Sequence, residues 1–192
     1  LNGAYEAPPI PESNAPNYEI ETPLFVEQWS LRKLAAVFPM VADATDRELG
    51  ERAFRRVGCY ACHRVGEEGG GTGPDLTDAG GRFTARDLLI AIIEPSRDVS
   101  DQYRDTEVWT HDSQVYVGRV VEQDDEWTSL QLPASEPGGL DGELIDIPAE
   151  DIKLVRAHAT SRMPSGMLDG LRPPEIIELL GWLLDEKSRA PK

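Results

Sequence analysis

The sequence predicts a mainly α-helical domain that is interrupted by a small antiparallel β insertion, which makes the chain α+β overall. Apolar residues recur at helical spacing in the first half of the chain and again near its end. Between these regions, apolar and polar residues alternate, as they do in strands with one buried face. We therefore expect an N-terminal arm or linker over 1–44, a discontinuous helical domain over 45–105 and 154–187, and a β insertion over 106–153.

The first 44 residues begin with a proline-rich stretch that is typical of a linker or an extended arm. An apolar cluster then predicts a short helix near 29–38 that docks on the main body. Since the chain starts at Leu1 and lacks a basic-then-apolar signal sequence, we expect a mature form or an excised piece of a longer protein. The main domain begins with a helix that is capped by Thr45 and Glu48 and runs to about Val57.

Two later helices are marked by prolines at their ends. One starts near Thr84 and stops at Pro95, because proline cannot continue a helix. The last helix begins at Pro173 and Pro174, which suit a first turn, and its apolar residues repeat to about Glu186. Between these helices, about five short alternating stretches separated by turns predict the antiparallel sheet.

The most specific motif is the C-x-x-C-H sequence at residues 59–63. Cys59 and Cys62 are the only cysteines of the chain, so no disulfide framework is available. Two thiols at this spacing match the two vinyl groups of haem, and the adjacent His63 supplies an axial ligand to the iron. The motif therefore predicts one covalently bound haem c.

Competing interpretations of this region fit the residues less well. A closed zinc site needs four ligands, and beyond the motif only the distant His111 and His158 could contribute. A thioredoxin-like redox pair would follow a strand, whereas a helix is predicted here. The glycine-rich loop from Gly66 to Gly73 lacks the Lys-Ser/Thr ending of a phosphate-binding loop.

The segments around the motif resemble one family of c-type cytochrome domains. The sequences at 62–66, 73–77, 81–84 and 163–168 are similar to the haem-binding domain of the Pirellula/Verrucomicrobium type, from planctomycetes and verrucomicrobia. The likeness extends over about 29–184. It implies a helical haem domain like that of class I cytochromes c, placed as a redox module at the C-terminal end of larger secreted proteins.

Several site residues follow from this resemblance. It implies that the Pro74 carbonyl accepts the Nδ1–H of His63, a bond that orients the ring and raises its basicity. It also implies that Met163, in a loop before the last helix, is the second axial ligand, with Met167 and His158 as the alternatives. Arg82 would bond a haem propionate, unless it is simply exposed.

The resemblance also implies that the first and last helices cross closely beside the haem. Gly50, Phe54 and Trp182 match the small and aromatic residues of that crossing, and an ordinary helix–helix core would look the same. The predicted cofactor-binding residues are Cys59, Cys62, His63, Pro74, Arg82 and Met163, of which His63 and Met163 would bind the iron.

The chain is strongly acidic, with a formal net charge of −16 at pH 7. This charge argues against nucleic-acid binding, which requires basic surface, and no apolar run is long enough to cross a bilayer. The region 101–151 holds 14 acidic residues against two arginines, whereas Arg52, Arg55, Arg56 and Arg64 lie around the motif. This pattern indicates either a solvated acidic face or an electrostatic dipole that orients a redox partner.

We therefore predict an electron-transfer protein rather than an enzyme. Histidine and methionine ligands favour electron transfer over oxygen chemistry. The alternative is a five-coordinate or ligand-exchanging haem for gas sensing or peroxidase-type chemistry. The expected partner is a redox protein with a basic surface or a fused dehydrogenase domain. Because thioether attachment of haem takes place outside the cytoplasm in bacteria, we expect a periplasmic or extracytoplasmic location.

Overall fold

The computed structural model describes residues 24–133 and 142–185, so the first part of the expected arm over 1–44 lies outside the described residues. The α-helices of the described chain are α1 (Phe38–Val41), α2 (Arg47–Arg56), α3 (Ala85–Ile93) and α4 (Pro173–Leu184). Its strands are β1 (Arg64–Val65), β2 (Glu68–Gly69), β3 (Thr106–Thr110), β4 (Val115–Gln123), β5 (Trp127–Gln131), β6 (Leu144–Pro148) and β7 (Ile152–Ala157). Within the two described ranges, no helix is both long and apolar enough to cross a membrane.

Helices α2 and α4 cross closely and form the centre of the helical core. Gly50 of α2 lies directly against α4, where an added Cβ would come within 2.4 Å of the Glu178 backbone oxygen. One turn further along α2, the rings of Phe54 and Trp182 have centroids 5.1 Å apart. The predicted crossing is therefore confirmed, and it depends on the absence of a side chain at Gly50.

The start of α2 differs from the prediction. Asp46 is the N-cap, and its side chain accepts a hydrogen bond from the Leu49 N–H at 2.9 Å. The predicted capping box of Thr45 and Glu48 is therefore wrong by one residue. Asp46 is held in place by α4, because its own N–H donates to the Glu178 carboxylate at 2.8 Å.

The other helix boundaries follow from the local sequence, as predicted. Thr84 caps α3 in a capping box with Asp87, and the helix ends before Pro95. Pro173 is the first residue of α4, where its missing N–H costs no hydrogen bond. The region near 29–38 contains a 3-10 turn over Lys33–Ala36, which is followed by α1.

Strands β3 to β7 form one antiparallel sheet in the order β6-β5-β4-β3-β7. The sheet has a small apolar core of its own, whose buried members are Val108, Leu130 and Ile147. Strands hold nearly as many of the described residues as the α-helices do. The prediction of a mainly α-helical chain is therefore wrong, whereas the α+β prediction is confirmed, because the alternating segments build an independent layer.

The Glu107 carboxylate on β3 forms hydrogen bonds with three side chains, two on the sheet and one just after β7. Its carboxylate lies 2.7 Å from Arg156 Nε, 2.9 Å from His158 Nδ1 and 3.1 Å from Trp109 Nε1. The hydrogen bonds from Arg156 and His158 are the main reason that the pKa of Glu107 falls from 4.5 to about 2. Because the folded state binds this proton less tightly, the carboxylate stabilises the fold above about pH 4.5, and the contribution is lost as the pH falls towards about 2.

We expect Glu107→Gln to make the stability of the protein less sensitive to acid. As the pH falls from about 4.5 to about 2, the unaltered protein should lose stability more steeply than the variant, since only it titrates this group. Chemical unfolding at a series of pH values measures the difference. Glu122→Gln changes an exposed carboxylate on β4 and is the control. Equal acid dependence in the unaltered protein and the Glu107 variant would contradict the prediction.

Candidate haem-binding site

The two cysteines lie in a tight turn that directly follows α2. Gly58 has a φ of 79°, a left-handed conformation that glycine adopts without strain, so the chain can turn sharply after the helix. Cys59 is buried, Cys62 is exposed, and both thiols are free. Burial raises the pKa of the Cys59 thiol to about 12, so this sulfur is protonated at neutral pH.

The His63 imidazole is oriented by the glycine-rich loop that follows it. Its Nδ1 lies 2.8 Å from the Pro74 carbonyl oxygen, which accepts a hydrogen bond from Nδ1–H. Burial lowers the pKa of His63, although the bond to Pro74 opposes this shift, so the ring is neutral at pH 7. Gly73 makes the approach possible, since a Cβ there would lie 2.8 Å from His63 Cε1. The geometry leaves Nε2 as the ring atom for a metal.

Arg82 braces the chain that follows Pro74. Its Nη2 donates to the Asp75 carbonyl oxygen at 2.5 Å, and its Nε donates to the Asp78 carbonyl oxygen at 3.3 Å. The guanidinium also lies over the Phe83 ring, 5.3 Å from its centroid. The side chain is exposed, so these contacts leave it accessible to solvent, and a bond to a propionate stays a prediction.

Met163 lies away from the motif in sequence, on the segment between β7 and α4. It is half-buried and packs against the helical core. A cleft of about 410 Å³ runs between this segment and the C-terminal end of α3, and Met163 and Ile93 are among its lining residues. His63 is not among the residues that line this cleft.

The two alternative ligands have different surroundings. Both ring nitrogens of His158 have hydrogen-bond partners, Nδ1 with Glu107 at 2.9 Å and Nε2 with the Thr160 hydroxyl at 2.8 Å. An iron ligand needs one free ring nitrogen, so these bonds count against His158. Met167 is half-buried and packs against the same core as Met163, and its burial does not separate the two methionines.

The residues of the motif fit a covalently bound haem. Two free thiols at the required spacing are followed at once by a neutral imidazole whose Nδ1 is already engaged. Haem attachment by this motif needs these groups: two sulfurs for the vinyl carbons and one nitrogen for the iron. Among the described residues, no three or more histidine, cysteine, aspartate and glutamate side chains are grouped so that they could hold a metal ion together.

Residues 48–116 match the family model described as Cytochrome c. This match supports a c-type cytochrome domain in that part of the chain. The predicted haem c cofactor, bound covalently and containing iron, is thereby confirmed, and so is haem-based electron transfer as the general function. A comparison with curated proteins gave no significant match.

The matched part of the cytochrome domain begins in α2 and ends in β4. It therefore includes the motif, Pro74 and Arg82, but it does not reach Met163. Proximal attachment of the haem is thus supported both by the family and by local geometry. The distal ligand depends on the later segment alone and stays a prediction.

A network beside the motif of the cytochrome domain was missed by the sequence reasoning. Arg55 of α2 places Nη2 2.8 Å from both Glu51 and Glu68, and its guanidinium lies 4.7 Å from the centroid of the Tyr60 ring. The pair of Arg55 and Glu51 could have been predicted, because the two residues are one helical turn apart. The pair of Arg55 and Glu68 could not, because Glu68 reaches Arg55 only when β1 and β2 fold back. The arginine cluster is thus largely paired; Arg56 likewise bonds Glu175 at 2.8 Å.

Proposed function

We propose that this cytochrome domain carries single electrons through a haem c whose iron is bound by His63 and Met163. The observation that carries the proposal is the hydrogen bond of 2.8 Å from His63 Nδ1 to the Pro74 carbonyl oxygen. This bond fixes the ring orientation and strengthens the imidazole as a ligand, which is the arrangement a histidine ligand to iron needs. Met163 is supported by its half-buried position on the core and by the full engagement of His158.

Each of these side chains would have a different role in binding the haem. Bound haem supplies an iron that exchanges one electron between its ferrous and ferric states. Cys59 and Cys62 would attach it by thioether bonds, and Arg82 would bond a propionate. His63 and Met163 would hold the iron, and this pair of ligands would raise the reduction potential and keep oxygen and peroxide from the metal.

We further propose that the domain is the redox module of a larger extracytoplasmic protein of the Pirellula/Verrucomicrobium type. Covalent attachment of haem outside the cytoplasm in bacteria supports that location. The acidic region 101–151, with 14 acidic residues against two arginines, supports a redox partner or fused dehydrogenase domain that presents a basic surface.

Replacement of Met163 by alanine tests the ligand assignment. In the oxidised protein with haem attached, we expect Met163→Ala to lose the far-red absorption band of a methionine–iron bond, because alanine has no sulfur. We also expect the reduced variant to bind carbon monoxide much faster than the unaltered protein. A pyridine haemochrome spectrum checks that haem c is still attached.

Two methionine variants serve as controls. Met40→Ala changes a methionine that is 52% exposed on α1, and Met167→Leu changes the nearest competing sulfur. Both are expected to keep the far-red band. A Met163 variant that keeps the band would contradict the assignment, and loss of the band only in the Met167 variant would transfer the role to Met167. Rapid carbon monoxide binding by the unaltered protein would instead favour a five-coordinate haem.

A further inference from the structure

The segment that carries Met163 is tied to the base of the sheet by one arginine. Arg162 places Nε 2.7 and 2.8 Å from the two carboxylate oxygens of Asp105. Its Nη2 donates to the Gln131 carbonyl oxygen at 2.6 Å. Asp105 lies directly before β3 and Gln131 ends β5, so one guanidinium joins the entry of the sheet, an inner strand and the segment after β7.

This ion pair lies mostly away from solvent. The side chain of Asp105 is 5% exposed and that of Arg162 is 24% exposed. A buried carboxylate is costly without its partner, so the pair resists separation much more than a surface ion pair does. Arginine also offers several donors in a rigid plane, which lets it hold the carboxylate and the carbonyl at once.

Further hydrogen bonds fix the backbone on both sides of Arg162. The His158 N–H donates to the Asp105 carbonyl oxygen at 2.8 Å. The Ser161 N–H donates to the Ser96 hydroxyl at 3.0 Å, and the Ser161 hydroxyl accepts from the Met163 N–H at 3.1 Å. The backbone at Met163 is therefore held through its two preceding residues, both of which are anchored to parts of the chain that come before it.

We propose that Arg162 and Asp105 are positioning residues that hold Met163 in place as a ligand of the iron, so that the β insertion supports the haem site. The proposal rests on the proposed function, in which Met163 binds the iron. Since Arg162 directly precedes Met163, release of its guanidinium frees the backbone that carries the ligand. A ligand on a fixed segment dissociates less often than one on a free loop, because less conformational freedom is lost when the bond forms.

Asp105→Asn and Arg162→Lys test this role in the protein with haem attached. Asp105→Asn removes the negative charge with little change in shape, and Arg162→Lys keeps the positive charge but cannot hold both partners. We expect each variant to weaken the far-red methionine–iron band of the oxidised form. In the reduced form, we expect carbon monoxide to bind about tenfold faster or more, given the strength of hydrogen bonds to charged groups. Arg162→Lys decides the test if Asp105→Asn does not fold.

Arg156→Lys is the matched control, because Arg156 Nε also bonds a carboxylate of the sheet, Glu107, at 2.7 Å, and Arg156 lies on β7 rather than beside Met163. It should leave both the band and the carbon monoxide rate unchanged. Equal bands and rates in all three variants and the unaltered protein would overturn the positioning role. Met163→Ala, measured alongside, separates the two proposals. If it loses the band while the other variants keep theirs, only the positioning role fails; if it keeps the band, the ligand assignment fails and the positioning role with it.

Discussion

Replacing Gly50 by alanine is expected to lower the free energy of unfolding by about 1–3 kcal/mol, the usual cost of overpacking a core. The new Cβ would lie 2.4 Å from the Glu178 backbone oxygen and 2.6 Å from Trp182 Cβ. Neither neighbour is the free end of a flexible side chain, so α2 and α4 must move apart. Alanine gains about 1 kcal/mol in helix propensity, which reduces the observed loss but does not cancel the clash.

Chemical unfolding of the protein with haem attached measures this effect. Arg52→Ala is the control, since Arg52 lies on the exposed side of the same helix and pairs with Glu48 one turn away. Loss of this surface ion pair should lower the free energy of unfolding by no more than about 0.5 kcal/mol. If the Gly50 and Arg52 variants were equally stable, the close crossing of α2 and α4 would not be a determinant of the fold.

Replacing Gly73 by alanine is expected to disturb the proximal side of the haem site. A Cβ at this position would lie 2.8 Å from His63 Cε1, 2.9 Å from His63 Nδ1 and 3.2 Å from the Cys62 carbonyl oxygen. The ring must therefore move away from the Pro74 carbonyl oxygen, which weakens a bond that orients the ligand. We expect a loss of about 1–3 kcal/mol in the free energy of unfolding and a shifted reduction potential, because the basicity of His63 changes.

Gly71→Ala provides a control from the same loop. No atom lies within 4 Å of the Cβ that alanine would add there, and the backbone is not in the left-handed region. Its free energy of unfolding should stay within about 0.5 kcal/mol of the unaltered value, and its reduction potential should not change. A redox titration of the two variants beside the unaltered protein is the measurement. Identical potentials for all three would show that the Gly73 contact does not tune the ligand.

Helix ends that depend on neighbouring residues were predictable from the sequence. The helix start near Thr84 and the first turn at Pro173 were correct, because each depends on atoms within one helical turn. The start of α2 was placed one residue early. Asp46 is preferred over Thr45 partly through the bond from its N–H to Glu178, which is 132 residues away and invisible to local reasoning.

The number of charged residues in each segment could be read from the sequence, but the pairs that they form could not. The arginines around the motif suggested one end of a dipole, yet Arg55 and Arg56 are bonded to Glu51, Glu68 and Glu175 in the folded chain. Counting charges along the sequence cannot reveal the pairs with Glu68 and Glu175, because those two partners come from other elements. The same limit concealed Asp105, which the sequence presents as one more acidic residue before the insertion.

The sequence by itself determined the chemistry of attachment, because two thiols and an imidazole at residues 59–63 need only their fixed covalent spacing to match a haem. It also determined the longer helices and the strands of the insertion, since their periodicity is local, although not the short strands β1 and β2. Only the tertiary structure decided that Arg162 and Asp105 meet, although 57 residues separate them. The antiparallel sheet brings its entry and exit together at β3 and β7, and that pairing places the Met163 segment beside a carboxylate it could not otherwise reach.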